Sequence, residues 1–257
     1  GEIIIDAQPT IGYIHRAFEK LAEHRPYYQV TPITDRLNYC SSPINNIGWH
    51  MTVEKLLNVK TPKKVDYMRV IIMELARIAD HIVCNSVIAV DTGALTGFLY
   101  VFQWREKIYE LYEQICGARL TTNIGRIGGF ERDFTPDVYR RLDEFLKDFP
   151  KALKEFENMV MRNRIFMDYS FTGPNLRAAG VDYDVRVMTP YSSYEDFDFI
   201  IPIGTQGDTY DRFCVREEEM WQSLSIIRQA LDKMPKTNEF FADVPEFYLP
   251  PKDAVYN

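Results

Sequence analysis

Three groups of residues in this 257-residue sequence have types and spacing suited to ligand chemistry. The first is the polar run Asp35-Arg36-Leu37-Asn38-Tyr39-Cys40-Ser41-Ser42-Pro43, whose tyrosine hydroxyl can hydrogen-bond a ligand carbonyl or simply tether a loop. The second is Asp91-Thr92-Gly93, at the end of the most apolar stretch. A helix C-terminus disfavours an anion and burial would raise the carboxyl pKa, unless the aspartate caps the next turn. The third is Arg16, Arg36, Arg119 and Arg126, in or near polar loops, the last just before Gly128-Gly129. They can converge on an anionic cofactor held by another chain, or form surface salt bridges.

Other chemistries find no support. The cysteines Cys40, Cys84, Cys116 and Cys214 are 44, 32 and 98 residues apart, which leaves no CxxC pair and no zinc or iron-sulfur spacing. They read as reduced, mostly buried thiols of a cytosolic protein. His15, His24, His50 and His81 include no HxxxH pair and read as structural or surface residues, so no bound metal is expected. No GxGxxG, P-loop, HExxH or GxSxG occurs. The formal net charge of −7 argues against a nucleic-acid partner, since a phosphate backbone is held mainly by cations.

The elements that must position these residues are mostly helices. Hydrophobic residues at 46% and aromatics at 14% can build a folded core. Residues 65–90 place Met68, Ile71, Ile72, Leu75, Ile78, Ala79, Ile82 and Val83 at helical spacing, which predicts a central helix buried on more than one side. Arg69, Glu74, Arg77, Asp80 and His81 interrupt it, so it cannot span a bilayer. No basic, then apolar, leader opens the sequence. Further helices are predicted over 12–24, 46–59, 98–116, 135–161 and 210–233, with Thr135 as N-cap, Pro136 at the first position and Gly117 as a C-cap. A short strand is expected around Glu2–Asp6 and another near 197–201, within a Pro-, Gly- and Tyr-rich loop over 173–203. The reading is mainly α: a helical-bundle domain over 1–235 and an extended tail over 236–257, laid on something else.

The motifs follow one another in a specific order. They are Asp35-Arg36-Leu37 with Tyr39; Val53-Glu54-Lys55-Leu56-Leu57; Asp91 with Gly93-Ala94; Arg105-Glu106; and Gly117-Ala118-Arg119. Then come Arg126 with Gly128-Gly129, Asn163-Arg164-Ile165, Phe171-Thr172-Gly173, Leu176-Arg177 and Gly207-Asp208-Thr209-Tyr210-Asp211-Arg212. In this order the sequence resembles the D subunit of respiratory complex I, the 49 kDa quinone-site subunit of NADH-quinone oxidoreductases, related in fold to nickel-iron hydrogenase large subunits. The resemblance runs from Gly1 to about Pro235, and Leu249-Pro250-Pro251-Lys252 looks like the linker into the family's C-terminal portion.

The resemblance implies a long-helix bundle of the hydrogenase large-subunit type with no redox centre of its own. Tyr39 matches the family tyrosine that hydrogen-bonds the quinone headgroup, and Asp91 the aspartate behind the headgroup site. That aspartate pairs in the family with a histidine on an N-terminal hairpin, which this chain is expected to lack. Arg16 matches the arginine beside the terminal 4Fe-4S cluster of a neighbouring polypeptide. Thr121 stands where many relatives have a histidine near that cluster. A threonine cannot take up a proton there, which predicts a lower, less pH-dependent cluster potential, as a menaquinone-using system tolerates.

The substrate implied is menaquinone or ubiquinone. The partners implied are the small iron-sulfur (B) subunit, the C and I subunits of the peripheral arm and the H subunit of the membrane arm, at the cytoplasmic face of the inner (cell) membrane. Relative to the family, the sequence is expected to lack a stretch between Asp168 and Tyr169 and a large C-terminal portion.

Three rivals are distinguishable. A nickel-iron hydrogenase needs two CxxC pairs, and the Asp35–Pro43 loop has Cys40 alone. A relative fed by ferredoxin or a deazaflavin would differ in its other polypeptides. A non-catalytic helical scaffold would tolerate Tyr39→Phe without loss of turnover.

Overall fold

A computed structural model describes residues 5–91, 93–161, 176–242 and 244. Helix α1 (Phe18–Glu23) is short, and α2 (Thr31–Thr34) is a single turn. The long helices are α3 (Ser42–Leu57), α4 (Lys63–Asp91), α5 (Leu95–Cys116) and α6 (Pro136–Val160). A single turn, α7 (Val185–Met188), precedes the last helix, α8 (Thr209–Lys233).

Local chemistry sets these limits. The Thr135 hydroxyl accepts the Val138 N–H at 3.3 Å and starts α6, and the Asp208 carboxylate accepts the Asp211 N–H at 2.8 Å and starts α8. Asn58, at φ 54°, closes α3 by taking the left-handed conformation that ends helices without strain when the residue is Asn or Gly.

Helix α4 is the axis of the fold. Met68, Ile71, Ile72, Leu75, Ile78, Ala79 and Ile82 are fully buried, because α8, α5 and α3 all pack against α4. Helix α6 buries a stripe at helical spacing, Leu142, Phe145, Phe149, Leu153 and Phe156, against α5 and α8. There Trp104 lies 5.7 Å from the Phe149 ring and Phe156 lies 5.8 Å from Phe213. Each such ring taken from water contributes about 1.5–3 kcal/mol. Among the described residues, no helix is long and apolar enough to cross a membrane.

The mainly α expectation holds, with local corrections. Residues 12–17 are not helical, and α1 starts only at Phe18, after Ala17 at φ 53°. The apolar side chains there have no neighbour to bury against: Ile11, Tyr13 and Ile14 are almost fully exposed. Ile5 and Asp6 form no strand, and the rest of that predicted strand lies outside the described residues. No strand forms over 197–201 either. The N–H groups of Asp198 and Ile200 are taken by the side chains of Gln229 and Gln222 on α8 rather than by another strand. The four free cysteines are half-buried rather than buried.

Two isolated bridges, Arg126 to Gly129 and Gly129 to Phe241, are the β-type pairs among the described residues. The described start of the tail therefore runs beside Gly128–Phe130 of the chain's own body. Phe130 N–H donates to Phe240 O at 3.0 Å, and Ala242 N–H to Gly128 O at 2.8 Å. Gly129, at φ 149°, permits this approach, since a Cβ there would overlap the Phe240 carbonyl oxygen. The motifs at 163–165 and 171–173, the junction at 168–169, Thr92 and residues 245–257 lie outside the described residues.

Candidate functional site

The Tyr39 loop is fixed from both sides while the tyrosine itself stays open. Tyr39 begins a 3-10 turn, Tyr39–Ser41, that packs on α4, and its side chain is 58% exposed. Asn38 Nδ2 donates to Ser41 Oγ at 2.7 Å and to Asp80 Oδ1 at 3.2 Å, and Asn45 Nδ2 donates to Asn38 O at 3.0 Å. A phenol held out from an anchored backbone costs little further ordering when it hydrogen-bonds a ligand.

Asp35, in the same motif, has a structural task. It is fully buried and accepts the Asn123 N–H at 3.1 and 3.2 Å. Burial pushes its carboxyl up, against the Asn123 and Asn46 hydrogen bonds and the Arg36 charge, which lower it.

Beneath this loop lies a feature that the sequence reading missed. Ser42, Asn46, His50 and Glu54 recur every four residues along α3, all buried on one face. Each holds part of the segment after α5. Ser42 Oγ donates to Leu120 O at 2.6 Å, Asn46 Oδ1 accepts the Ile124 N–H at 3.1 Å, and Glu54 Oε1 accepts the Gly128 N–H at 2.6 Å. His50 Nε2 is 3.1 Å from Thr31 Oγ1, and its ring stands against Gly125, where an added Cβ would lie 3.4 Å from Nδ1. The signal was available as four polar residues at i, i+4, i+8 and i+12.

This ladder positions the segment that carries Thr121 and Arg126. Thr121 is half-buried, and its neighbour Thr122 puts Oγ1 3.5 Å from Ser42 Oγ. A polar cavity of about 240 Å³ lies beside it, lined by Glu113, Cys116, Gly117, Asn123 and Arg126 among others. Neither Tyr39 nor Asp91 lines it.

Asp91 is the last residue of α4 and is exposed. The turn beyond it is closed by Gly93, whose N–H donates to Val90 O at 2.8 Å, and by Ala94, whose N–H donates to Ala89 O at 2.7 Å. These backbone bonds satisfy the helix end and leave the carboxylate facing solvent. Tyr39 and Asp91 do not hydrogen-bond each other. Along α4, Asp91 is eleven residues, roughly 16 Å, beyond the Asp80 that anchors the Tyr39 loop.

The four arginines do not converge. Arg119 pairs with Glu106 and with Glu113, Arg126 Nη2 lies 3.1 Å from Glu131 Oε2, and Arg36 donates to Pro32 O. Arg16 is exposed in the segment before α1. Carboxylates within reach on the same surface captured Arg119 and Arg126. Among the described residues no three His, Cys, Asp or Glu side chains are grouped so as to hold a metal ion.

A second polar cluster lies deeper, between α4, α8 and the 176–196 segment. Glu74, fully buried, accepts from Arg77 Nε at 3.2 Å, Arg186 Nη1 at 3.2 Å, Tyr194 Oη at 2.5 Å and Ser223 Oγ at 2.5 Å. Although burial opposes it, the Arg77 and Arg186 charges hold the Glu74 carboxyl down at about 2. Asp184 binds Arg186 and Arg177, and Glu219 binds Arg177 and His81.

Comparison with known proteins places this architecture. Residues 91–257 match the family model described as the 49 kDa subunit of respiratory-chain NADH dehydrogenase. Over its whole length the chain is 70% identical to the NADH-quinone oxidoreductase D subunit of Flavobacterium johnsoniae, covering 66% of that protein. It is 65% identical to the NADH-quinone oxidoreductase D 2 subunit of Cytophaga hutchinsonii, covering 70%. It is 45% identical to the NADH-quinone oxidoreductase C/D subunit of Bdellovibrio bacteriovorus, covering 48%. The chain thus spans about two thirds of the length of the first two relatives.

Proposed function

The chain belongs to the 49 kDa subunit family of respiratory-chain NADH dehydrogenase, and from that premise we propose that it is the quinone-binding subunit of the peripheral arm of a proton-pumping NADH-quinone oxidoreductase. The observation that carries this reading is Tyr39, an exposed phenol on a loop anchored by Asn38, Asn45 and Asp80. A quinone carbonyl is a hydrogen-bond acceptor with no proton of its own, and a phenol is a directional donor. Two-electron reduction to the quinol takes up two protons, so a positioned donor lowers the barrier as well as orienting the ring. Asp91 is the acidic group proposed to lie behind the headgroup.

Arg16 and Thr121 are proposed to face the 4Fe-4S cluster of the small iron-sulfur (B) subunit. When bound beside this chain, the cluster supplies the electrons. The ladder on α3 supports this assignment for Thr121 by fixing the segment in which it stands. The C and I subunits and the membrane-arm H subunit are the further partners proposed, at the cytoplasmic face of the inner membrane. For the C subunit the support is the relative whose name joins C and D.

The test is Tyr39→Phe in the assembled complex. Quinone reduction is expected to fall by roughly 10²-fold. NADH oxidation by an artificial acceptor that bypasses the quinone, and the polypeptide composition of the purified complex, stay unchanged. A wild-type quinone rate would leave the scaffold reading in place.

A further inference from the structure

One turn of this fold is built inside out. At α7 the charged side chains point inward: Asp184 and Arg186 are buried, with Arg186 Nη2 2.7 Å from Asp184 Oδ2 and Nη1 3.2 Å from Glu74 Oε1. The Asp184 carboxylate also accepts the Arg186 N–H at 2.9 Å. The apolar side chains between and after them, Val185, Val187 and Met188, are exposed, Met188 at 62%. Where a turn meets only water the arrangement is normally reversed, since a valine gains by burial and an ion loses. The buried pairs hold the backbone, so presenting these side chains to a partner costs little further ordering.

The exposed apolar side chains continue across a neighbouring stretch. Ile200 is 71% exposed, and its N–H donates to the Gln222 side chain of α8 at 3.0 Å. Val187 and Ile200 line one open hollow of about 540 Å³, together with Pro190 and Phe199. Ile203 is exposed as well. The next residue, Gly204, donates its N–H to Arg177 O at 2.9 Å, which sets Ile203 beside the turn that leads to the exposed Val181 and Tyr183. Charge at this face has one sign. From 178 to 211 the sequence has no lysine or arginine besides the buried Arg186, whereas Asp182, Glu195 and Asp198 are exposed, and the last two border the hollow. Lys63 and Lys233, at the Asp196 end, are both engaged with that residue, 2.5 Å from Oδ2 and 2.6 Å from the carbonyl oxygen.

We infer that this face, over 181–188 and 200–203, is a docking surface for another polypeptide of the same complex, one whose own contact face is apolar and rimmed by lysine and arginine. The inference rests on the reading of the chain as one subunit of a larger enzyme, and not on the quinone role of Tyr39. A contiguous apolar surface with a polar rim is the anatomy of a protein interface. The acidic rim sets the occupant, since it attracts a basic partner and repels an anionic headgroup layer. The backbone donors at 198 and 200 are already taken by Gln229 and Gln222, so the partner packs by side chains rather than by adding a strand.

The test uses the complex purified at low salt, carrying Met188→Cys or Ile200→Cys. Maleimide labelling at that position is timed in the intact complex and after unfolding in guanidinium chloride, and is located by peptide mapping. A covered face labels roughly tenfold or more slowly in the complex than when unfolded, whereas a face open to water labels within about threefold. A zero-length carbodiimide is expected to join Asp182, Glu195 or Asp198 to lysines of a single further polypeptide. Val187→Asp, at a half-exposed position outside the core, is expected to detach that polypeptide at a salt concentration where the wild-type complex retains it. If other polypeptides co-purify while both positions label at the open rate, or while the three acids cross-link only within this chain, the docking surface is overturned and the subunit reading stands. If the chain purifies with no other polypeptide, the subunit reading falls and the docking surface with it.

Discussion

Arg69 and Glu54 form a bidentate ion pair in the core, with Nη1 2.8 Å from Oε2 and Nη2 2.5 Å from Oε1, both side chains almost fully buried. It ties α3 to α4. Because Glu54 Oε1 also accepts the Gly128 N–H at 2.6 Å, it ties both helices to the segment that the tail runs beside. A planar guanidinium fits this site where an ammonium would not.

Breaking the pair leaves a buried charge without its counter-ion. Arg69→Met is expected to lower stability by about 3–5 kcal/mol. The double variant Glu54→Gln/Arg69→Met should lose less than the sum of the two single changes, because the residues share one interaction. Unfolding midpoints of the two single variants and the double variant check this. Additive losses would show that the pair contributes nothing as a unit.

His50 gives stability an acid limb. Burial, with the charges of Arg69 and Arg126 beside it, lowers its pKa from the ordinary 6.5 to about 3. Between those values the unfolded chain takes up a proton that the folded chain refuses. Its contribution is thus complete above pH 6.5 and erodes as pH falls toward 3, by up to ~1.4 kcal/mol per pH unit. His50→Gln is expected to flatten the change in urea midpoint between pH 7 and 5, and an unchanged slope would refute the assignment.

Glu217 works in the opposite sense. It is buried with Oε1 unpartnered, and Asn85 Nδ2 donates to Oε2 at 3.0 Å. Burial raises its pKa from 4.5 to about 8, against the Asn85 hydrogen bond and with the nearby Glu157 charge adding to the rise. The folded state therefore holds a proton that the unfolded chain releases, and stability falls as pH rises from 4.5 through 8. Glu217→Gln is expected to match wild type near pH 5 and to exceed it by ~1–3 kcal/mol near pH 8. Parallel thermal unfolding at the two pH values measures this.

The pattern of apolar residues marked α4 and α6 because their periodicity is a property of consecutive residues, and Thr135-Pro136 and Gly117 marked helix ends because capping is local. The polar ladder Ser42, Asn46, His50 and Glu54 was also visible as a spacing, yet its meaning was not, because the segment after α5 that it holds lies 74 to 80 residues away. The strand expected near 197–201 failed for the same reason. Phe197–Ile201 has strand-forming side chains, but a strand needs a partner edge, and α8 side chains took the backbone donors at 198 and 200 instead.

The sequence by itself determined a mainly helical chain, the place of its long helices and, through the order of its motifs, its family. Those depend on local propensity and on residue identity alone. Only the tertiary structure decided which polar residues are sites and which are supports. Asp35 is a buried acceptor for Asn123, Asp91 faces solvent at a closed helix end, and Arg119 and Arg126 are taken by nearby glutamates. His81, which read as a structural or surface histidine, is paired with the buried Glu219 of α8, its Nε2 2.6 Å from Oε2. Burial and hydrogen-bond pairing between distant segments set those roles, and neither is a property of neighbours in sequence.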